Sequence, residues 1–160
     1  MTDDSAWPSG PAGYDKLMKA GNQTHGVGGD LQRERDAVIP LIAPDEKVVG
    51  RHYASFVSAD AVGDFHGAVF LSSDRRLLMV TAKGALRKKF NVMSLGYGTL
   101  KPGIADVNEV RFGNPVWISG FSTKTGETFL VEFLSEVDKN RFVQDIGGAL
   151  GGWNIVHGEG

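Results

Sequence analysis

Residues 67–81, with the sequence GAVFLSSDRRLLMVT, decide the fold of this 160-residue chain. Two short runs rich in apolar and β-branched residues, Ala68–Leu71 and Leu77–Thr81, flank a polar segment, Ser72–Arg75. Apolar runs of this length are typical of strands, and serine and aspartate favour turns. The stretch therefore predicts a β-hairpin.

Similar strand-and-turn units surround this hairpin. Apolar runs separated by glycine, proline and small polar residues predict seven strands in all. They cover residues 47–58, 66–71, 76–82, 88–95, 104–112, 116–122 and 127–134. We expect these strands to form an antiparallel barrel or sandwich.

A helix is predicted after the last strand. The segment Ser135–Asp138 matches the Ser-x-x-acid pattern that starts helices. Phe142, Ile146 and Leu150 then recur at helical spacing, which indicates one buried stripe over residues 136–150. The predicted fold class is thus mainly β: a seven-stranded antiparallel barrel or sandwich, capped by one C-terminal α-helix, with a short helix before the first strand.

That short helix is predicted over residues 30–43. Leu31 and Val38 lie at roughly helical spacing, and Arg33–Asp36 are expected to face solvent. Prolines end helices because they lack a backbone N–H, and Pro44 follows here.

The remaining residues divide the chain. Residues 1–29 hold six of the 22 glycines and few apolar residues, so they are predicted to form a flexible tail. Within it, Tyr14–Ala20 is expected to be at most a transient or partner-docked helix. Residues 44–150 are predicted to be one folded domain, and residues 151–160 a second tail.

Composition excludes several classes of protein. The net charge is −2, so no general basic excess favours nucleic acid, and no nucleic-acid partner is predicted. The chain has no cysteine, which excludes disulfides and thiolate chemistry. It begins with an acidic stretch and contains no apolar run long enough to span a bilayer. These features predict a cytoplasmic location.

The order of elements, together with several segments, resembles the pleckstrin-homology (PH) superfold, and most closely the bacterial PH-like and GRAM-like domains. The segments are Pro44–Val48, Gly67–Leu71, Ser73–Val80 and Ile104–Val110. The resemblance covers about residues 43–150. It implies two packed antiparallel sheets with one corner plugged by the C-terminal helix through Phe142 and Ile146.

Members of this family are mostly non-enzymatic modules that bind lipid head groups, peptides or proteins. Phosphoinositide-binding members carry Lys or Arg in the loop between the first two strands. This chain has Asp60 and Asp64 there, and these carboxylates would repel a phosphate. The tryptophan common in the helix of such members is also absent, since Trp153 lies beyond the helix.

Basic residues offer one candidate binding site. The densest cluster lies in the loop before the fourth strand, and Arg75 and Arg76 lie at the other end of the third strand. The cluster consists of Lys83, Arg87, Lys88 and Lys89. These cations could bind an anionic head group or an acidic partner. The alternative is a solvated loop that discourages edge-strand aggregation.

Apolar residues offer a second candidate. Strand alternation places Trp117 and Phe121 on one face of the sixth strand, and Leu130 and Leu134 on one face of the seventh. If these faces are exposed, they form a patch suited to self-association or to a peptide. The alternative is that these residues belong to the core.

No catalytic pattern is present. His52 and His66 lie on neighbouring predicted strands, but no metal-binding spacing occurs, so His52 is interpreted as a hydrogen-bonded strand histidine. No nucleophile elbow or phosphate-binding loop is present either. The chain is therefore predicted to be no enzyme and to need neither a metal nor a cofactor.

The leading hypothesis is a non-enzymatic binding module for a protein partner or for a second copy of the chain. The alternative is weak peripheral binding of anionic lipid head groups through residues 83–89, at the inner face of the membrane. A more remote alternative is small-ligand binding or enzymatic activity in the barrel corner.

Overall fold

The structure is a computed structural model that describes residues 8–20, 31–59, 67–83, 89–150 and 153–157, the last of these as backbone only. Its helices are α1 (Pro11–Ala20), α2 (Leu31–Val38) and α3 (Glu136–Ala149). The strands of its first half are β1 (Val48–Ala59), β2 (Gly67–Ser73), β3 (Arg76–Lys83) and β4 (Lys89–Gly96). Those of its second half are β5 (Ile104–Arg111), β6 (Asn114–Ser122), β7 (Thr128–Phe133) and β8 (Trp153–His157).

The strands form one sheet in the order β4-β3-β2-β1-β7-β6-β5-β8. The seven predicted strands are confirmed, and every pairing among these seven is antiparallel. The twelve-residue strand β1 joins the two halves, because it pairs with both β2 and β7. Its register shifts between Val48 and Gly50 and again between Phe56 and Ser58, which lets the strand bend between the halves.

The predicted C-terminal helix is also confirmed. The side chain of Ser135 accepts a hydrogen bond from the backbone N–H of Asp138, so this serine caps α3. Phe142 and Ile146 are fully buried. The ring of Phe142 lies 5.0 Å from that of Phe133 and 5.4 Å from that of Phe70. Helix α3 therefore covers the hydrophobic core on its side of the sheet, which we call the inner core. It does so through the buried stripe predicted from the sequence.

A second core lies on the opposite face of β1–β4. Tyr14 of α1 and Val38 of α2 are fully buried there, against Val69 and Leu71 of β2 and Leu78 of β3. Strands β2 and β3 are consequently buried on both faces. The prediction of a flexible tail is therefore wrong for residues 11–20, because burying Tyr14 stabilises α1 against the sheet. Residues 1–7 and 21–29 lie outside the described residues.

A buried ion pair fixes this second core. Arg51 of β1 donates from Nη2 to Oε1 of Glu34 at 2.7 Å and from Nε to Oε2 at 2.9 Å. The exposed fractions of the two side chains are only 1% and 0%. The hydroxyl of Tyr14 donates to the same carboxylate at 2.9 Å. The prediction that Glu34 faces solvent is wrong, because this carboxylate joins α1, α2 and β1.

The C-terminal tail prediction is also wrong in part. The backbone of Trp153–His157 forms β8, which pairs with β5 in parallel, from Ile104 opposite Trp153 to Asn108 opposite His157. This run contains an aromatic and two β-branched residues, which are strand formers. The glycines at 151 and 152 therefore separate α3 from a strand rather than beginning a tail.

We expect replacement of Glu34 by Ala to destabilise the protein by about 3–5 kcal/mol, because it leaves the guanidinium of Arg51 buried without its counter-charge. Urea unfolding at neutral pH measures this loss. The exposed pair between Arg35 and Asp15 also joins α2 to α1, with an N–O distance of 2.7 Å, and offers a matched control. Arg35→Ala should cost much less. Equal losses for the two variants would contradict the structural role given to Glu34.

Candidate functional site

The predicted basic residues are divided between the two ends of β3. Arg76 begins the strand and Lys83 ends it, seven residues away. At about 3.3 Å per residue this places their backbones roughly 23 Å apart. Lys83 is directly opposite Lys89 in the pairing of β3 with β4. The structure therefore does not bring the arginines and the lysines into one site.

Arg76 is engaged within the fold. Its Nε donates to Oε2 of Glu46 at 2.9 Å and its Nη2 to Oε1 at 2.8 Å. Glu46 is fully buried and also accepts from the hydroxyl of Ser73 at 2.6 Å. Arg76 thus neutralises a buried carboxylate beneath the β2–β3 turn.

The environment of Glu46 stabilises its charged form. Burial alone would raise the pKa of Glu46, but hydrogen bonds from Arg76, from Ser73 and from the backbone of Ala43 outweigh it and lower the pKa to about 2. Nearby, burial raises the pKa of Tyr97 to about 12, and its hydroxyl donates to the carbonyl of Ser73 at 2.8 Å. This end of the hairpin is a structural network.

Arg75 lies at the surface beside this network. Its guanidinium contacts the carboxylates of Asp45 and Asp74, each at 3.4 Å. All three side chains are well exposed. Two acids near one arginine leave little positive potential, so this corner is a poor site for an anion.

Lys83 and Lys89 form a different environment. Both are exposed, and neither has an ion pair with any residue that the structure describes. Like charges directly opposite each other in a sheet destabilise it. An anion bound between them would relieve that repulsion. Arg87 and Lys88, the other two members of the predicted cluster, lie outside the described residues.

The predicted apolar set does not form one patch. Phe121 is buried, and its ring stacks on Phe129 at 4.9 Å, so its assignment to an exposed patch is wrong. Its large ring fills the space between the two halves of the sheet. Leu130 points to the other face, opposite Gly120, and lines a groove of about 260 Å³. Trp117 is half-buried, and Leu134 is exposed.

The most exposed aromatic residue among those described was not among the predicted site residues. The sequence predicts that Phe112 is the last residue of the fifth strand. Instead Arg111 pairs with Asn114, and Phe112 and Gly113 form the two-residue turn between β5 and β6. Both turn residues have positive φ angles, +51° and +79°, as in a type I′ turn. The side chain of Phe112 is 96% exposed.

The exposed ring of Phe112 could have been predicted from the residues of the turn. Type I′ turns favour Asn-Gly or Asp-Gly, because a residue with a side chain pays about 1–2 kcal/mol to adopt the left-handed region. Here Phe112 stands where Asn is usual. Reading Phe112-Gly113 as a turn would have placed an aromatic ring at a hairpin tip.

Other exposed apolar side chains lie on this hairpin and on the elements next to it. Val110 precedes the turn, Leu134 follows β7 beside β6, and Val137 lies in the first turn of α3. Each is about three-fifths exposed. We call Val110, Phe112, Leu134 and Val137 the apolar end of the molecule.

A groove of about 320 Å³ lies beside the apolar end, between the β5–β6 hairpin and the beginning of α3. We call it the hairpin groove. Its apolar wall includes Val110, Pro115 and Trp117. On the α3 side lie Glu136, which accepts from the indole N–H of Trp117 at 3.3 Å, and Lys139.

His52 is a hydrogen-bonded histidine on a strand, as predicted from the sequence. Its Nε2 lies 2.9 Å from Oδ2 of Asp145, and its ring packs edge-on against Phe142 at 5.4 Å. A side chain at Gly50 would collide with His52, Asp145 and Ser72, so glycine is required where α3 approaches β1. His66 lies outside the described residues. Across the described part of the chain, no three His, Cys, Asp or Glu residues converge as metal ligands.

Three solved structures show similarity to this chain. The hSac2 domain of the human phosphoinositide phosphatase Sac2 is 17% identical, with a TM-score of 0.51, over 80% of this chain and 87% of that one. A pleckstrin homology domain from Shewanella amazonensis is 15% identical, with a TM-score of 0.49, over 76% and 97%. The DH/PH domains of p115-RhoGEF are 9% identical, with a TM-score of 0.43, over 85% and 40%.

No family model and no curated protein matches the chain. Similarity at such low identity shows the fold alone. The strand order and the capping by α3 confirm the predicted fold class, a mainly β sheet closed by a C-terminal helix, and the hSac2 domain shares this fold. None of the helices within the described ranges is both long enough and apolar enough to cross a bilayer.

We expect the stability of the protein to fall as the pH is lowered from about 4.5 towards 2, because Glu46 has a pKa near 2 when folded and near 4.5 when unfolded. The charged carboxylate stabilises the fold above this window and loses that effect within it. Glu46→Gln should flatten the melting temperature across the window, whereas Asp36→Asn, at an exposed carboxylate, should not. Parallel profiles for wild type and Glu46→Gln would contradict this assignment.

We expect Phe112→Asn to stabilise the isolated chain by about 1 kcal/mol, because asparagine tolerates the left-handed region better and the phenylalanine ring loses no internal packing. For a chain of this size that corresponds to a rise of about 2–4 °C in melting temperature. Thermal unfolding followed by circular dichroism measures it. A lower melting temperature would show that the ring packs within the fold.

Proposed function

We propose that this chain is a non-enzymatic binding module that engages a protein partner through the apolar end. The observation that carries the proposal is Phe112, an aromatic side chain held in a strained turn and almost fully exposed. The two-residue turn requires a positive φ at this position, but nothing within the described fold requires the residue there to be a phenylalanine. Contact with a partner would give this residue a role.

The neighbouring residues support a binding surface. Val110, Leu134 and Val137 add exposed apolar area on the β5–β6 hairpin and on the elements next to it. Burying one such side chain contributes about 1.5–3 kcal/mol, and aromatic residues beside grooves often dominate binding energy. A surface with a protruding ring and an adjacent groove is therefore suited to a protein or peptide.

The polar groups of the inner core do not favour catalysis. His52 and Asp145 are joined through Nε2, and Ser72 is fully buried. A serine that acts as a nucleophile must be accessible to the substrate and hydrogen-bonded to its base. This grouping supports packing of α3 on β1, which agrees with a binding role for the whole domain.

Site-specific crosslinking tests the proposal. We expect a photoreactive phenylalanine analogue at position 112 to give a discrete protein adduct in the native host cell, since the analogue keeps the ring at the turn. The same analogue at Val49, an exposed apolar residue outside the apolar end, is the control. Adducts are separated by mass and identified by mass spectrometry. An absence of any adduct specific to position 112 would reject the proposal.

A second candidate function is weak binding of an anionic membrane surface through Lys83 and Lys89. The observation that favours it is the direct opposition of these two exposed cations, without an acidic neighbour among the residues described. Each lysine near a charged bilayer contributes about 1 kcal/mol, so two give only weak, salt-sensitive binding.

We expect Lys89→Glu to abolish retention of the protein on vesicles rich in phosphatidylserine at low salt, because it replaces the repelled pair by an internal ion pair with Lys83. Lys19→Glu, at an exposed lysine on α1, makes the same change in net charge and should leave retention nearly unchanged. Vesicle flotation measures both. Equal retention of Lys89→Glu and wild type would reject this role for the lysines.

A further inference from the structure

Strand β4 forms one edge of the sheet, since it is the first strand in the sheet order and pairs with β3 alone. Its central run Phe90–Leu95 contains neither a charged residue nor a proline, and its pairing with β3 shows no bulge. Edge strands in native proteins are usually very short, or are protected by charges, prolines or bulges. The eight-residue β4 has no such protection beyond Lys89, so its edge is open to another strand.

The hydrogen-bonding pattern of β4 shows which of its backbone groups point to this edge. Where the pairing with β3 ends, the N–H of Tyr97 donates to the carbonyl of Arg75 at 3.5 Å. Bonded and non-bonded residue pairs alternate along antiparallel strands, so every second residue of β4 is bonded to β3 and those between them point outward. The outward set is Phe90, Val92 and Ser94. None of the residues that the structure describes hydrogen-bonds to these outward groups.

Helix α2 packs on a face of β4 and leaves this edge open. The guanidinium of Arg33 lies 5.2 Å from the ring centre of Phe90, whose side chain belongs to the second core. Side chains of a strand point to its two faces, whereas its backbone groups point along the sheet. The contact with α2 therefore does not compete with a strand that approaches β4 from the side.

We propose that the β4 edge binds an extended, acidic segment of a partner protein, which adds one more strand to the sheet. In this kind of recognition the main-chain hydrogen bonds give affinity and the alternate side chains give specificity. The site is separate from the apolar end, because β4 lies in the other half of the sheet. The inference therefore goes beyond the proposed function and does not depend on it.

Charge selects an acidic segment. Lys83 and Lys89 lie directly opposite each other at one end of the edge, are exposed, and have no ion pair with any described residue. The exposed acids Asp45 and Asp74 lie beside Arg75, before the other end of β3. Residues paired across two strands share a face, so an acidic residue opposite Lys89 would lie beside both lysines.

The rest of the segment is apolar and alternates. Phe90 and Val92 are half-buried on the face that carries α2, and Met93 is half-buried on the face of the inner core. An added strand places its side chains next to both sets, because successive side chains point to opposite faces. A second copy of β4 does not fit this site, since its only charged residue is Lys89 and it offers no carboxylate to the lysines.

Peptide display on the purified full chain tests the inference, with a library of random peptides as the probe. We expect the enriched sequences to alternate apolar residues, to carry Asp or Glu near one end, and to lack a central proline. Fluorescence anisotropy of a synthetic copy of an enriched peptide then gives its Kd. A library that yields no enriched sequence, or only sequences without an acidic residue, would overturn the inference.

Ser94→Pro tests the edge itself. The proline ring replaces an N–H that points outward and blocks the approach of another strand, so peptide binding should weaken about tenfold or more. No hydrogen bond to β3 is lost, and the melting temperature should stay close to that of the wild type. Ser94→Ala is the matched control, because it also removes the hydroxyl that accepts from Nη1 of Arg76 but keeps the N–H. Equal binding by the two variants would reject the edge as the site.

Methylation of the peptide nitrogens gives the same information without any change in the protein. A strand bonded along one side uses the N–H groups of every second residue. Methyl groups on one alternating set should abolish binding, and methyl groups on the other set should leave it nearly unchanged. Equal effects of the two sets would contradict strand addition.

Charge reversal tests the lysines. Lys89→Glu should weaken peptide binding about fivefold or more, whereas Lys19→Glu, which changes the net charge equally, should not. Vesicle flotation separates this site from membrane binding, because head groups need the lysines but not the outward backbone groups. Ser94→Pro should therefore lose the peptide and keep whatever vesicle retention the wild type has.

Two further outcomes are decisive. A wild type that dimerises, with the dimer lost in Ser94→Pro, would overturn the inference, because the edge would then be occupied by a second copy. Crosslinking at position 112 reports on the apolar end alone. Its failure with intact peptide binding would remove the proposed function and leave the β4 site, and the reverse result would remove the β4 site only.

Discussion

The ion pair between Arg51 and Glu34 is the interaction on which the rest of the structure depends. Strands β2 and β3 are apolar on both faces, so the sheet needs cover on both sides. Helix α3 covers one side, and α1 with α2 covers the other. Apolar contact alone has little directional preference. The bidentate pair, with the hydroxyl of Tyr14, fixes where α1 and α2 lie on β1.

This double cover determines which surfaces remain for binding. With both faces of β1–β4 occupied, the exposed features described above lie at strand edges, strand ends and turns. One is the lysine pair where β3 and β4 meet, at the end of the free β4 edge, and the other is the hairpin groove with the tip of β5 and β6. The two sites lie in different halves of the sheet and differ in chemistry: one is basic, and the other has an apolar wall opposite the carboxylate of Glu136.

Much of this architecture follows from patterns that are local in the sequence. Apolar runs and turn residues gave the seven strands, and the spacing of Phe142 and Ile146 gave the inner face of α3. The second core could not be predicted in this way, because the partner of Glu34 is Arg51, on another element. In a helix rich in charge, Glu34 has the same local pattern as an exposed glutamate, and only the tertiary contact distinguishes it.

The candidate sites show the same limit. In the sequence Arg76 belongs to a basic run. Its partner Glu46 lies 30 residues earlier in the chain, so the structural role of Arg76 could not be predicted from its local sequence. Phe121 and Trp117 share a face by alternation, yet the depth of each depends on what α3 covers. Phe112 is the opposite case. Phenylalanine is unusual in the left-handed conformation that its turn requires, and this can be recognised from the residues of the turn alone.

The parallel strand β8 has a consequence for the order in which the chain can fold. It closes the outer edge of β5, but its residues are synthesised about fifty positions after those they pair with. During translation the edge of β5 therefore stays unpaired until the residues of β8, which follow α3, have left the ribosome. A chain truncated before residue 153 would keep that edge open, and open edges recruit strands from other molecules. Pairing with β8 thus moves the edge of the sheet from β5 to a strand of only five residues, and short edge strands recruit other molecules less readily.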